Sequence, residues 1–132
     1  MTTVMIIDDA PLLRERLAKR IEAIEGIEVV GEADTVASSI DLFRKLRPTA
    51  VILDMQMPGG TGLEVLNIIK SERPKTIVLV LTNYPLPQLK KKSMDLGADY
   101  FFDKSTEFDR IVEVLKDGSS PGGGIAIPRE EP

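Results

Sequence analysis

Residues 50–62 read Ala50-Val51-Ile52-Leu53-Asp54-Met55-Gln56-Met57-Pro58-Gly59-Gly60-Thr61-Gly62. Four apolar residues of strand character run into a carboxylate. Turn-forming proline and glycines follow, and Leu63, Leu66 and Ile69 then recur at helical spacing, with a stop before Pro74. This is one strand–helix unit with an acid at the strand's end, and the chain repeats the plan on both sides. Residues 4–7 form a continuous apolar run, as expected for a strand buried on both faces. Asp8 and Asp9 follow it. Pro11 suits the first turn of a helix whose Leu13, Leu17, Ile21 and Ile24 share a face, with Gly26 at its end.

The other units are equally legible. Residues 27–32 predict a less apolar strand, nearer an edge, followed by a helical stripe of Val36, Ile40, Phe43 and Leu46 that stops at Pro48. Residues 77–81 are the most hydrophobic strand, predicted to be central, and end in Thr82. A helix from about Leu86 to Leu96 closes at Gly97. Residues 100–102 predict a fifth strand, with Lys104 just beyond it, and Phe108, Ile111, Val112 and Leu115 stripe a last helix. Five βα units with right-handed crossovers leave few topologies. The expected fold is α/β: a doubly wound five-stranded parallel sheet of order 2-1-3-4-5, flavodoxin-like (βα)5, with strands one and three adjacent at the switch point. Residues 1–117 make one domain. Residues 118–132, rich in glycine and proline, predict a flexible tail.

Composition narrows the function. Of 132 residues, 42% are hydrophobic and 29% charged, which suits a soluble globular chain. The net charge of −4 argues against nucleic acid as a primary partner. Absence of cysteine excludes disulfides and thiolate metal sites, and absence of histidine excludes imidazole chemistry within the chain. No apolar run approaches the roughly 20 residues that span a bilayer, and no signal-peptide pattern opens the chain. The expectation is a cytoplasmic protein without membrane contact.

In a doubly wound sheet, loops at the carboxyl ends of the strands converge on one crevice. Asp8, Asp9, Asp54, Thr82 and Lys104 all stand at such ends. Three carboxylates, a hydroxyl and an ammonium can together hold a divalent cation, offer an oxygen nucleophile and neutralise a phosphoryl group. Oxygen ligands suit Mg²⁺, which takes one or two carboxylates with water and phosphate oxygens. An ionised Asp54 can attack phosphorus to give an acyl phosphate. Each residue also has a plainer reading. Asp9 suits a cap for a helix starting at Pro11 or Leu12. Thr82 fits a strand end by β-propensity, and Lys104 fits a solvated surface. Lys90, Lys91 and Lys92 suit either a solvated face or the reception of an acidic partner.

Asp54 to Gly62, taken with Asp8–Asp9, Thr82 and Lys104 in this order and spacing, resembles the receiver domain of two-component response regulators over residues 3–117. The resemblance implies a stand-alone, chemotaxis-regulator-like signalling switch, not a turnover enzyme. It implies that Asp54 accepts a phosphoryl group from a histidine kinase or histidine phosphotransfer protein, with output by contact with a downstream protein. Mg²⁺ would be held by Asp8, Asp9, Asp54 and the backbone carbonyl of Gln56. Thr82 matches the switch hydroxyl and Lys104 the phosphate-binding lysine. Phe101 matches the aromatic that changes rotamer, although it also reads as a packed strand residue beside Tyr100 and Phe102. The output surface would include the fourth helix, fifth strand and fifth helix.

The chain departs from the family pattern in places. Ser105 follows Lys104 where many members have proline, and it reads as a cap for the last helix. Asn83 is larger than the usual residue after Thr82. Gln56 and Tyr84 occupy positions that tune the lifetime of the phosphoryl group. Pro85 and Pro87 restrict the loop before the fourth helix. Three rival readings follow from the residues: a flavodoxin-like cofactor binder, a phosphatase with an aspartyl intermediate, and a phosphorylation-independent interaction module that retains the acids.

Overall fold

The computed structural model describes residues 1–118. Residues 119–132, within the stretch predicted to be a tail, lie outside the described residues. Strands β1 (Thr2–Ile7), β2 (Ile27–Ala33), β3 (Ala50–Asp54), β4 (Ile77–Thr82) and β5 (Tyr100–Asp103) alternate with helices α1 (Pro11–Glu22), α2 (Val36–Leu46), α3 (Gly62–Glu72), α4 (Pro87–Asp95) and α5 (Phe108–Gly118). All ladders of the five-stranded sheet are parallel, in the order β2-β1-β3-β4-β5. That is the predicted doubly wound order. The strand expected to be central, β4, is interior, flanked by β3 and β5. β3 takes the centre, with all five of its residues buried.

Side chains alternate across each strand and so feed two core layers. Met5, Ile7, Val51, Leu53, Val78 and Val80 pack with Phe43 of α2 and Val65, Leu66 and Ile69 of α3. Val4, Ile6, Ile52, Leu79 and Leu81 pack on the other face with Leu17 and Ile21 of α1 and Ile111 and Leu115 of α5. Because both faces are covered, β1, β3 and β4 read as unbroken apolar runs. Among the described residues, no helix is long and apolar enough to cross a membrane.

Local signals set the helix boundaries. Pro11 stands at the start of α1 and Pro87 at the start of α4. Thr35 caps α2, accepting a hydrogen bond from the Ser38 N–H (3.1 Å) while Ser38 Oγ accepts from the Thr35 N–H (3.2 Å). Arg47 ends α2 in the left-handed region, at φ 47°, immediately before Pro48. Ile24, read as the last member of the α1 stripe, lies past the helix in a turn, where its N–H donates to the Ile21 carbonyl.

The glycines after β3 do different jobs. Residues Gln56–Met57 and Gly60–Thr61 form a small antiparallel ladder whose turn is Pro58–Gly59. Gly59 takes φ 90°, where a Cβ would find open space but a strained backbone. Gly62 has the opposite need. A Cβ there would collide with the Asp54 carbonyl oxygen and with the Met55 backbone, since the start of α3 rests directly on the end of β3. Gly62→Ala is therefore expected to cost about 2 kcal/mol or more by overpacking. Gly59→Ala is expected to cost about 1 kcal/mol through its backbone. Urea unfolding of the two variants checks the order; equal costs would refute the close-approach account.

Candidate functional site

The parallel register brings the predicted residues together. Ile7 lies opposite Leu53, Asp54 opposite Leu81, and Thr82 opposite Asp103, so Asp8, Asp54, Thr82 and Lys104 emerge at one edge of the sheet. Carboxylate oxygens of Asp8, Asp9 and Asp54 all lie within 4.8 Å of one another. Asp8 and Asp54 are 1% and 2% exposed, whereas Asp9 faces solvent.

The loop after β1 is held from two sides. Asp8 Oδ1 accepts the Ala10 N–H at 2.8 Å. Arg14 reaches back from α1 to donate to the Asp8 carbonyl at 2.5 Å, and its Nε donates to Glu32 Oε1 at 3.1 Å. Ala10 is the α1 N-cap and takes no side-chain cap, so the reading of Asp9 as a helix cap fails. The local bond formed instead is the one from the Ala10 N–H to Asp8.

Lys104 is tethered inward, against its plainer reading as a solvated residue. Its Nζ lies 2.7 Å from Asp8 Oδ2 and 3.3 Å from Asp54 Oδ2, so Asp8, and not Asp54, is the nearer partner. Burial works against the Lys104 charge, but the two carboxylates outweigh it and raise the ammonium above its ordinary value. Asp54 Oδ1 also accepts the Gln56 N–H at 3.1 Å. Even so, burial and the neighbouring Asp8 charge push the Asp54 carboxyl up to about 6, against the opposing pull of Gln56 and Lys104.

This donor set fits a hard divalent cation. The ligand atoms are all oxygens, and Asp8 Oδ2 is buried with the Lys104 ammonium, at 2.7 Å, as its ion-pair partner.

Thr82 is fully buried, and its Oγ1 accepts the Tyr84 N–H at 3.0 Å. A hydroxyl holds one proton and two lone pairs, so its own proton stays available to a phosphoryl oxygen. Asn83 and Tyr84 are exposed, Tyr84 to 59%. Phe101 is half-buried against the core layer beneath α2–α4. Phe102 is buried on the other face, stacked with half-buried Tyr100 at 5.6 Å. Lys90, Lys91 and Lys92 are all exposed, with Lys91 paired to Asp95.

Ser105 does not cap α5. Its N–H and Oγ both donate to Asp103 Oδ1, at 2.9 and 2.7 Å, within a turn that precedes the helix. Sequence reasoning also missed Arg14, which no periodicity marks beside Leu13. It missed the contact of buried Ser93 Oγ in α4 with Met55 Sδ at 3.9 Å, directly after Asp54. Only the Asp103-Lys104-Ser105 string itself, a local Asx-turn sequence, carried a readable hint.

Comparison with known proteins agrees with this geometry. The family model described as response regulator receiver domain matches residues 4–116. The nitrate/nitrite response regulator protein NarP of Escherichia coli is 33% identical over 116 residues, which are 88% of this chain and 54% of that protein. The chain thus spans about half the length of NarP and of several other curated relatives. Among solved structures, the signal receiver domain of the putative response regulator NarL from Mycobacterium tuberculosis superposes with a TM-score of 0.81 at 30% identity, covering 89% of this chain and 95% of that one. The isolated receiver domain of RcsB from Salmonella enterica, in the presence of phosphomimetic BeF3-, gives 0.78 at 28% identity, covering 93% and 91%.

A carboxyl raised on folding from about 3.9 to about 6 favours its protonated form in the folded chain. Its contribution to stability is fully present below the unfolded value and is lost as pH rises through 6, leaving a penalty on the order of 3 kcal/mol at neutral pH without metal. Asp54→Asn is therefore expected to raise the urea midpoint at about pH 7.5 in chelator, with the gain fading toward about pH 4.5. A pH-independent gain would refute the charge conflict as its cause.

Proposed function

This chain belongs to the response regulator receiver family of two-component signalling, and on that premise we propose that Asp54 is its phosphoacceptor. The observation that carries this reading is the convergence of buried Asp54 with Lys104 Nζ, at 3.3 Å, inside a cluster of three acids. In the transfer, an Asp54 carboxylate oxygen attacks the phosphorus of a phosphohistidine on a kinase or phosphotransfer partner. The P–N bond breaks and the leaving imidazole recovers a proton. Asp8, Asp9 and Asp54, with the Gln56 carbonyl that the resemblance adds, would hold Mg²⁺. That ion supplies charge neutralisation between the acids and the incoming phosphoryl group.

The remaining work falls to the chain's own residues. Lys104 exchanges part of its pairing with Asp8 and Asp54 for a phosphoryl oxygen. Thr82 keeps the Tyr84 N–H as its donor and turns its proton toward the same group. Movement at Thr82 frees Phe101, on the neighbouring strand, to change rotamer, biasing two pre-existing states of the face formed by α4, β5 and α5. Within α4, Ser93 is the only buried residue. Output is contact with a downstream protein, without turnover of a separate substrate.

Incubation with acetyl phosphate and Mg²⁺ is expected to add a single phosphoryl mass, absent in Asp54→Ala and in chelator. A protein that binds Mg²⁺ yet takes no phosphoryl group would overturn the phosphoacceptor reading and leave the interaction module. Tyr84→Ala is expected to speed hydrolysis of the adduct several-fold, on the ground that the exposed ring hinders the attacking water. An unchanged decay rate removes that role.

A further inference from the structure

Lys104 is a point charge on a flexible four-carbon stem, so its usefulness depends on how its backbone is held. The sheet secures only one side of it. The Lys104 N–H donates to the Thr82 carbonyl at 2.9 Å, the last rung beyond the β4–β5 ladder, and the chain then turns away through residues 104–106. Ser105 follows, so no pyrrolidine ring fixes the next residue.

Four hydrogen bonds bracket the lysine instead, and Asp103 takes part in all of them. Its Oδ1 accepts both the Ser105 N–H and the Ser105 hydroxyl, closing an Asx turn with Lys104 as the enclosed residue. The N–H of Asp103 donates to Glu107 Oε1 at 2.9 Å, and its carbonyl accepts the Glu107 N–H at 2.9 Å. Arg110, in the first turn of α5, donates to Glu107 Oε2 at 2.8 Å and anchors the clamp to the helix. Ser105 also holds the Asp103 carboxyl below the usual carboxylate range, keeping it an ionised acceptor. Asp103 is not among the clustered acids at the crevice. Its carboxylate is committed to the turn.

We propose that Asp103 is a positioning residue for phosphoryl transfer: its turn with Ser105, braced by Glu107, sets the backbone of Lys104 so that the ammonium stands between Asp8 and Asp54. The inference rests on the reading of Asp54 as phosphoacceptor with Lys104 as its cation. Asparagine at position 103 keeps the accepting oxygen, whereas alanine removes it. A role in positioning therefore separates Asp103→Asn from Asp103→Ala, and a role of the negative charge does not.

The test is a double-mutant cycle on the rate of phosphorylation by acetyl phosphate with Mg²⁺, read by mass. Asp103→Ala is expected to slow the reaction about tenfold in the parent, a change of about 1.4 kcal/mol in barrier, and to have no further effect in Lys104→Ala. Asp103→Asn should stay within about twofold of the parent. A tenfold loss that persists in Lys104→Ala, or an Asn variant as slow as the Ala variant, overturns the proposal. A second readout needs no phosphoryl transfer: the ¹⁵N signal of the Lys104 ammonium in metal-free protein. Its ion pairs are expected to protect that signal in the parent and in Asp103→Asn, and Asp103→Ala should broaden it to that of a solvated lysine. An unchanged signal in Asp103→Ala refutes the clamp. Should the parent take no phosphoryl group, the phosphoacceptor reading fails while the ammonium signal still decides the role of Asp103. If Asp103→Ala does not fold, Ser105→Ala carries both measurements, with a smaller loss that must likewise vanish in Lys104→Ala.

Discussion

Two carboxylates buried side by side with a single ammonium between them set the terms for this molecule. Asp8 and Asp54 are almost fully removed from water, exposed Asp9 completes the cluster, and Lys104 is the cation ion-paired with both buried carboxylates. Negative charge exceeds positive in a place where water cannot screen it, which is why the Asp54 carboxyl is raised. Such a site is electrostatically unfinished. It gains from a divalent cation, and it holds a nucleophilic oxygen beside a cation suited to a phosphoryl group.

The sheet makes that unfavourable arrangement possible. Parallel pairing in the order β2-β1-β3-β4-β5 stacks the carboxyl ends of β1, β3, β4 and β5 along one edge. Two apolar layers, one under α2–α4 and one under α1 and α5, hold those strands in place. The energy that tolerates the acids comes from that core, remote from the crevice. Loops then refine the positions: Gly62 lets α3 rest against the end of β3, Arg14 ties the Asp8 carbonyl to Glu32 on the edge strand, and Asp103 brackets Lys104. The family resemblance drawn from the acids, hydroxyl and lysine agrees with the receiver-domain match over residues 4–116.

The departures from sequence reasoning share a cause. Local preference places Ser105 at the α5 cap and Asp9 at a possible α1 cap. In each case a side chain of Asp, two residues before the N–H it accepts, made a tighter local bond: Asp103 with Ser105, Asp8 with Ala10. Of the two buried acids Asp8 is the nearer to Lys104, a matter of a few tenths of an ångström that no spacing encodes.

The five βα units, their parallel order and the set of residues at the strand ends are legible in the amino-acid sequence. Those follow from periodicity, turn chemistry and chirality, which act over a few residues or constrain all chains alike. Which acid faces Lys104, how burial raises Asp54, and the contacts of Arg14, Ser93 and Asp103 around the crevice emerge only on packing. Charge interactions depend on distance and on exclusion of water. Both quantities arise only when segments far apart in the chain are packed against one another.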